Sequence, residues 1–559
     1  MSQEWSFVTT DSLEKVYPDG EPRPIDRELT ESVFLGETAS VQIAFRPPAA
    51  LRDPGPIRFH IRGESSRFTT LYDVELVPCA MPAFPGHDGG YDRDVPGLYP
   101  DLLRPSADGL IQPLFGAWRS VWIDLRVDDP GRAGTHQLEL QVTTADGNTV
   151  LYDDVVSIEV LPHRLPALEI GNTHWFHCDG LATYYGVPVF SEEHWRIVDD
   201  FIAAAAEMGA TSLLTPTWTP PLDTAVGHTR VPVQLIGIAY ADSRYTFDFQ
   251  KLGRWLQLCE KHGLAAVEIA HLFTQWGAQK TPAIYVEQDG TLQHRFGWHV
   301  DATDPAYREL LEQLIPQLRE FLAAHWPGEV IYHISDEPHG AAALDTYRAA
   351  RAVVADLLEG TTVVDALSDF DFYSSGAVPI PVVATDAVAP FLSAGVDTMW
   401  VYYCVSQNKD VANRFIALPS LRNRVIGHQL FAFEAKGFLH WGFNFYNSYH
   451  SLRPIDPFRD TCGAGAFPGG DPFIVYPGEG GRPWPSIRFK VFAAAMADYR
   501  AMQALRDVAG RDAVMELIDT DGSGGRLAFD RFSYDPGHYR RVRAEINQRI
   551  ANAEPVRGS

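Results

Sequence analysis

The sequence predicts a multidomain β plus α/β chain: an N-terminal β-sandwich, then a (β/α)8 TIM-like barrel, then a short helical C-terminal tail. Three observations predict it. Up to about Pro162, short alternating segments are separated by Pro, Gly and Asp turns. After Leu165-Pro166 the pattern changes to apolar runs alternating with amphipathic helices, the sequence sign of βαβ units. Eight such runs can be counted, enough to close a barrel. At 559 residues the chain exceeds one compact core, and the predicted division is residues 1–163, 164–510 and 511–559.

In the first region the candidate strands are Ser40–Arg46, Arg58–Arg62, Val121–Val127, Gln137–Thr143 and Val155–Leu161, with Ala145–Asn148 as a hairpin turn. Met81–Phe115 is too rich in Gly, Pro and Asp to read as regular structure. The barrel candidates are Asn172–Phe176, Thr211–Thr215, Ala265–Ala270, Val330–Ser335, Thr362–Leu367, Pro381–Ala384, Met399–Val405 and Gly437–Phe443. Between them Trp195, Val198, Phe201, Ile202 and Ala205 recur at helical spacing, as do Tyr307 to Phe321 behind an Asp304-Pro305 start. Pro316 is expected to kink that second helix. A long helix from Ser486 to about Leu505 is expected to close the barrel, and Tyr539–Ala551 to form a charged tail helix.

Composition narrows the partners. Lys and Arg number 46 against 72 Asp and Glu, a formal net charge of -26 that repels nucleic acid and anionic membranes. The five cysteines are scattered without CxxC spacing, so neither a disulfide framework nor a zinc module is expected. The opening MSQEWSFVTTDSLEKVYPDG pairs no basic stretch with an apolar run, and no window approaches a membrane span. The expectation is a cytoplasmic protein, monomer or homo-oligomer, that binds a small molecule or oligosaccharide and neither nucleic acid nor membrane.

The chemistry is expected at VIYHISDEPHG, Val330–Gly340. A β-branched run ends abruptly in Asp336 and Glu337, and Pro338 then halts the strand. At the C-terminal tip of a barrel strand such residues face the active-site mouth. Two adjacent carboxyls cannot ionise independently, so one holds its proton more tightly, as a general acid requires. The competing reading is a helix N-terminus capped by Ser335, Asp336 and Glu337. Other strand tips supply His177 and Asp179, His271 with the Gln275–Pro282 loop, Asp386, Tyr402 and Tyr403, and Trp441 with Asn444. Aromatic faces with Asn, Asp and His around them suit sugar rings and hydroxyls. His174, His177 and Asp179 lack the companion cluster a metal site needs, so no metal and no cofactor is expected.

These residues also carry a resemblance. The ordered set FTQWGAQKTP (Phe273–Pro282), ISDEP (Ile334–Pro338), GFLHWGFNFY (Gly437–Tyr446), GDPFIVYPG (Gly470–Gly478) and PSIRF (Pro485–Phe489) resembles glycoside hydrolase family 123 and its wider relatives of unknown function. It covers roughly His163 to Leu505. The resemblance implies a β-sandwich beside a (β/α)-type barrel and a retaining exo-β-N-acetylgalactosaminidase that works by substrate-assisted catalysis through an oxazoline. It further implies that Asp336 orients the 2-acetamido group and Glu337 is the general acid and base. His177, Asp179, His271, Lys280, Asp386, Tyr402, Tyr403, Trp441 and Asn444 are the expected substrate-binding residues, with Tyr402 or Tyr403 steadying the amide carbonyl and Trp441 walling the acetamido methyl. The alternatives are the same barrel acting on β-GlcNAc or a galactoside, or a non-catalytic carbohydrate-binding protein.

Overall fold

The computed structural model describes residues 4–29 and 31–553. Two compact units emerge: one holds the chain up to Glu169 with Lys409–Phe433 and the stretch from Trp484 onward, the other Ile170–Asn408 with Glu434–Pro483.

The first unit contains two five-stranded sheets, one in the order Ser6–Asp11, Thr38–Arg46, Arg119–Arg126, Thr69–Cys79, Gly97–Pro105. The other runs Glu31–Phe34, Val150–Leu161, Gly134–Thr144, Ile57–Arg62, Leu110–Ile111. Alternation puts Val41, Ile43, Phe45, Val121 and Ile123 of one sheet into a shared core with Ile57, Leu138, Leu140 and Ile158 of the other. Met81–Phe115 departs from expectation, because Gly97–Pro105 pairs along Thr69–Cys79 despite its Pro and Gly content. Those residues lie on an edge strand, where a missing N–H costs no ladder bond.

The helix expected to close the barrel, Ile487–Ala509, belongs to this first unit instead. Its Arg488 reaches Asp101 at 2.8 Å and its Asp498 takes Arg424 and Arg543. The last helix, Pro536–Asn552, is tied in through Arg543, which also pairs with Glu37 at 2.6 Å, so the tail is part of the unit.

The second unit is a closed barrel of eight parallel strands: β1 Gly171–His174, β2 Ser212–Thr215, β3 Ala266–Ile269, β4 Glu329–Tyr332, β5 Thr362–Leu367, β6 Ile380–Ala384, β7 Trp400–Tyr402 and β8 Gly437–His440. Each is one of the eight predicted runs, and pairing of β1 with β8 closes the ring, so no helix is needed for closure. Gly171 and Gly437 admit the Trp400 ring as a plug: a Cβ on either would lie 2.1–2.2 Å from it. Helix Pro305–His325 runs through Pro316 without interruption. The sequence reading missed a four-stranded sheet, Gly237–Ala241 and Arg244–Asp248 beside Ile284–Gln288 and Thr291–Phe296, carried on the connections after β2 and β3. No helix among the described residues is long and apolar enough to cross a membrane.

Candidate active site

β4 stops at Tyr332, and the next residues stay extended because two neighbours hold them. His333 and Ile334 accept the N–H groups of Leu272 and Phe273 at 3.0 Å. On the other side Asp365 of β5 accepts the N–H groups of Ile334 at 2.9 Å and Ser335 at 3.2 Å. Glu337 then takes φ +41°, a left-handed conformation that non-glycine residues avoid. That turn breaks the strand alternation which would point neighbouring side chains to opposite faces, and both carboxyls line one cavity.

The cavity has a volume of about 210 Å³. At ~30 Å³ per water that is roughly seven waters, the space of one small ring. Trp175, Trp441, Leu222, Leu439 and Phe467 wall it, and Asp223, Gln275, Tyr402 and Cys404 add polar groups. Trp175 is fixed by donating from Nε1 to Glu268, which also accepts from Ser212 and His333. Trp441 is fixed by donating to Asp471 at 3.0 Å.

Electrostatics separate the carboxyls from ordinary ones. Burial pushes Asp336 well above the usual carboxylate range, and the neighbouring charges of Glu337 and Asp365 push the same way. Burial also raises Glu337, opposed by hydrogen bonds from Tyr402 and Cys404, with Asp386 adding repulsion. Burial carries Asp223 up to about 7, against the pull of the His450 N–H and Arg230. Three carboxyls that resist ionisation in one cavity mark a place for proton transfer.

Of the eleven residues singled out from sequence, Asp336, Glu337, Tyr402 and Trp441 line this cavity. The others brace it or stand elsewhere. Buried His177 donates from Nε2 to the Trp441 carbonyl at 3.0 Å, and its backbone N–H donates to Asn444 Oδ1 at 2.8 Å. Burial, aided by Arg230, holds that imidazole down at about 4, so it is neutral. Asp179 pairs with Arg230 at 3.3 Å. His271 stacks on His333 at 4.6 Å under the edge of Trp175. Asp386 accepts from Gln407, and Lys280 pairs with Asp301. Tyr403, next along β7 from an inward Tyr402, packs outward on Phe438 and His440.

The residues missed from sequence are Asp223, Tyr449 and Phe467, on the connections after β2 and β8, while Gln275 and Trp276 belong to the loop read beside His271. Gln275 and Trp276 lie in a stretch that reads as a polar surface loop, while Asp223 and Tyr449 have no strand or helix period near them to place them. Among the described residues no group of three or more His, Cys, Asp or Glu side chains could hold a metal ion.

A closed parallel barrel that gathers adjacent carboxyls at a strand end, between aromatic walls in one cavity, suits a carbohydrate-cleaving enzyme. The catalytic-domain model of glycoside hydrolase 123 matches residues 175–505, and the chain belongs to that family. A solved family 123 glycoside hydrolase from Clostridium perfringens, described for glycolipid glycan hydrolysis, superposes with a TM-score of 0.70 at 14% identity, covering 98% of this chain and 97% of that one. An endo-β1,6-glucanase overlaps more loosely, with a TM-score of 0.35 at 10% identity over 65% of this chain and 84% of the other. A family 51 α-L-arabinofuranosidase from Bifidobacterium longum gives 0.26 at 11% identity over 59% and 73%. No curated protein matches.

Proposed function

We propose that this glycoside hydrolase is a retaining exo-β-N-acetylgalactosaminidase in which the substrate's own acetamide is the nucleophile. The observation that carries the reading is that two sequence-adjacent carboxyls enter one cavity of about 210 Å³ together. Adjacent acids sit on the same side of a bound ring, whereas an ordinary retaining pair flanks the scissile bond with carboxyls roughly 5–5.5 Å apart. With the nucleophile supplied by the sugar, the protein needs only an orienting carboxyl, whose carbonyl oxygen can accept from the amide even while burial keeps its proton in place, and an acid/base.

In this reading Asp336 accepts the 2-acetamido N–H and turns the carbonyl oxygen toward the anomeric carbon. As that oxygen bonds to C1, the glycosidic C–O bond breaks and protonated Glu337 delivers its proton to the leaving oxygen. Ionised Glu337 then takes a proton from water while the water oxygen attacks C1 and reopens the oxazolinium ring, restoring the β configuration. Tyr402, hydrogen-bonded to Glu337, holds that carboxyl in register and faces the acetamide, and Trp441 walls its methyl group. Gln275 offers an Nε2 donor that has no partner among the described residues, and Asp223 an acceptor, for ring hydroxyls.

A second reading rests on Asp223. A third carboxyl in the same cavity could attack C1 itself, giving a conventional two-carboxylate glycosidase for an unacetylated sugar such as a galactoside. A panel of 4-nitrophenyl β-glycosides with a thiazoline inhibitor separates them. Release from the GalNAc glycoside with strong thiazoline inhibition supports the first; release from β-GlcNAc changes only the sugar. Release from a galactoside, insensitive to thiazoline and lost in Asp223→Asn, supports the second. Sugar binding without release from any glycoside would leave a non-catalytic role.

A further inference from the structure

The cavity holds one ring, so the remainder of any glycoside must lie at its mouth, and the mouth is lined with exposed aromatic surface. Trp276 is 43% exposed and Tyr449 44% exposed, although both line the cavity. His450 joins them: its ring stacks on Tyr449 with centroids 3.7 Å apart, and the Trp276 ring lies tilted to it with centroids 5.6 Å apart. Two exposed rings joined through a half-buried His450 beside a reacting centre form a binding surface that a lone exposed aromatic does not.

The backbone holds these rings at a cost. Trp276 has φ +62° and Ala278 φ +53°, while His450 has φ +58° and Ser451 φ +55°. Left-handed non-glycine residues persist only where surrounding bonds over-determine them, and the bonds are present. The Trp276 N–H donates to the Asp336 carbonyl at 2.8 Å, and Thr346 Oγ1 donates to the Gly277 carbonyl at 2.6 Å. Asp223 staples the second segment, accepting the His450 N–H at Oδ2 (2.9 Å) and the Ser451 hydroxyl at its carbonyl (2.7 Å). The Tyr449 N–H donates to Gly463 at 3.0 Å. A surface fixed in advance binds without the ordering cost of a mobile loop.

We propose that Trp276 and the Tyr449–His450 stack are the aglycone platform of this enzyme, taking the flat face of the second sugar ring of a glycoside whose first ring fills the cavity. The inference rests on the acid pair being the reacting centre, since the link from Trp276 to the Asp336 carbonyl sets the platform beside the bond to be cut. Sugar C–H faces stack on aromatic rings, and the preference is for a saccharide leaving group over one without a face.

The test compares two substrates with the same first sugar, the one the nitrophenyl panel identifies: a β-linked disaccharide and the β-glycosyl azide, whose leaving group has nothing to stack. In Trp276→Ala and Tyr449→Ala the ratio of kcat/KM for disaccharide to that for azide is expected to fall by up to about tenfold, and Trp276→Phe to recover most of it. An unchanged ratio in both alanine variants overturns the platform, whether or not overall turnover falls. Trp276→Gln, at the same 43% exposed position, reads the ratio if the alanine variant fails to fold. Failure of the acid assignment is seen separately, as normal turnover by Glu337→Gln with the platform ratio still intact.

Discussion

Replacing Glu337 by Gln tests the proposed proton transfer most directly, because the side chain keeps its shape while losing the proton. Oε1 can still take the Cys404 thiol, 3.8 Å away, and the amide can still bond the hydroxyl of Tyr402, so the φ +41° turn that presents both carboxyls is expected to survive. General acid transfer contributes roughly 10²–10⁴-fold, about 3–5 kcal/mol at ~1.36 kcal/mol per decade. The whole of that falls on a leaving group that cannot depart unprotonated. For a disaccharide kcat/KM is expected to drop about 10³-fold, while a 4-nitrophenyl glycoside, whose phenolate departs unaided, should lose about tenfold or less in its first step. Added azide, which needs no base, should speed nitrophenyl turnover and yield a β-glycosyl azide. Asp336→Asn behaves differently: it weakens the attack on C1 itself, so both substrates suffer alike. Steady-state kinetics on the pair, with circular dichroism as a check on folding, decide the matter. Equal losses on both substrates for Glu337→Gln, or a wild-type rate for Asp336→Asn, would refute the assignment.

Tyr402→Phe removes a hydrogen bond that favours ionised Glu337; the carboxyl, already raised by burial, should rise further, so the alkaline limb of the kcat/KM profile moves to higher pH, and a shift to lower pH would count against the contact. Asp365 is raised by burial to about 7, against the pull of His333 and Tyr347. It therefore binds its proton more tightly folded than unfolded, and stability should fall as pH climbs from about 4 to about 7, by ~1.36 kcal/mol per pH unit for one proton. Asp365→Asn should flatten that slope in urea titrations at pH 5 and 6.5; an unaltered slope would show that the carboxyl titrates normally. Gly171→Ala or Gly437→Ala drives a Cβ to within 2.2 Å of the Trp400 ring, an overpacking worth about 1–3 kcal/mol, and a melting temperature equal to the wild type would exclude the plug.

What could be read from residue order follows from how each part is built. The barrel strands were legible because a strand buried on both faces must be continuously apolar, and Ile331, Val382, Val383 and Val401 satisfy that without reference to anything distant. Asp336 and Glu337 stood out for the converse reason: two charges at the end of such a run demand an explanation. Their joint reach into one cavity did not follow from spacing, since alternation separates neighbours; it depends on the left-handed Glu337 and on Asp365, thirty residues away, holding the approach. The unit boundaries failed for a related reason. Ile487–Ala509 has a helical period that fits any apolar surface, and buried pairs such as Arg488–Asp101 and Lys490–Asp124 assign it to the sandwich unit.

The remaining wall of the site was hidden because it is carried by loops whose local sequence has turn chemistry and no period. Asp223 in PPLDTAVG has no strand or helix period around it, and in the fold it accepts the His450 N–H. That bond spans 227 positions, so the residue's second role, as a cavity carboxyl raised to about 7, arises only once β2 and β8 lie in the same ring. His177 and Asn444 show the opposite displacement. Both have the polar character of sugar ligands, yet the Asn444 side chain satisfies the backbone N–H and carbonyl of His177, and the His177 ring donates to the Trp441 carbonyl. Polar residues at barrel strand ends are thus divided between those that meet substrate and those that fix the groups that do. Gln275 and His177 stand on the two sides of that division: Gln275 lines the cavity with an Nε2 that has no partner among the described residues, whereas His177 gives its Nε2 hydrogen bond to the Trp441 carbonyl and lies outside the cavity wall.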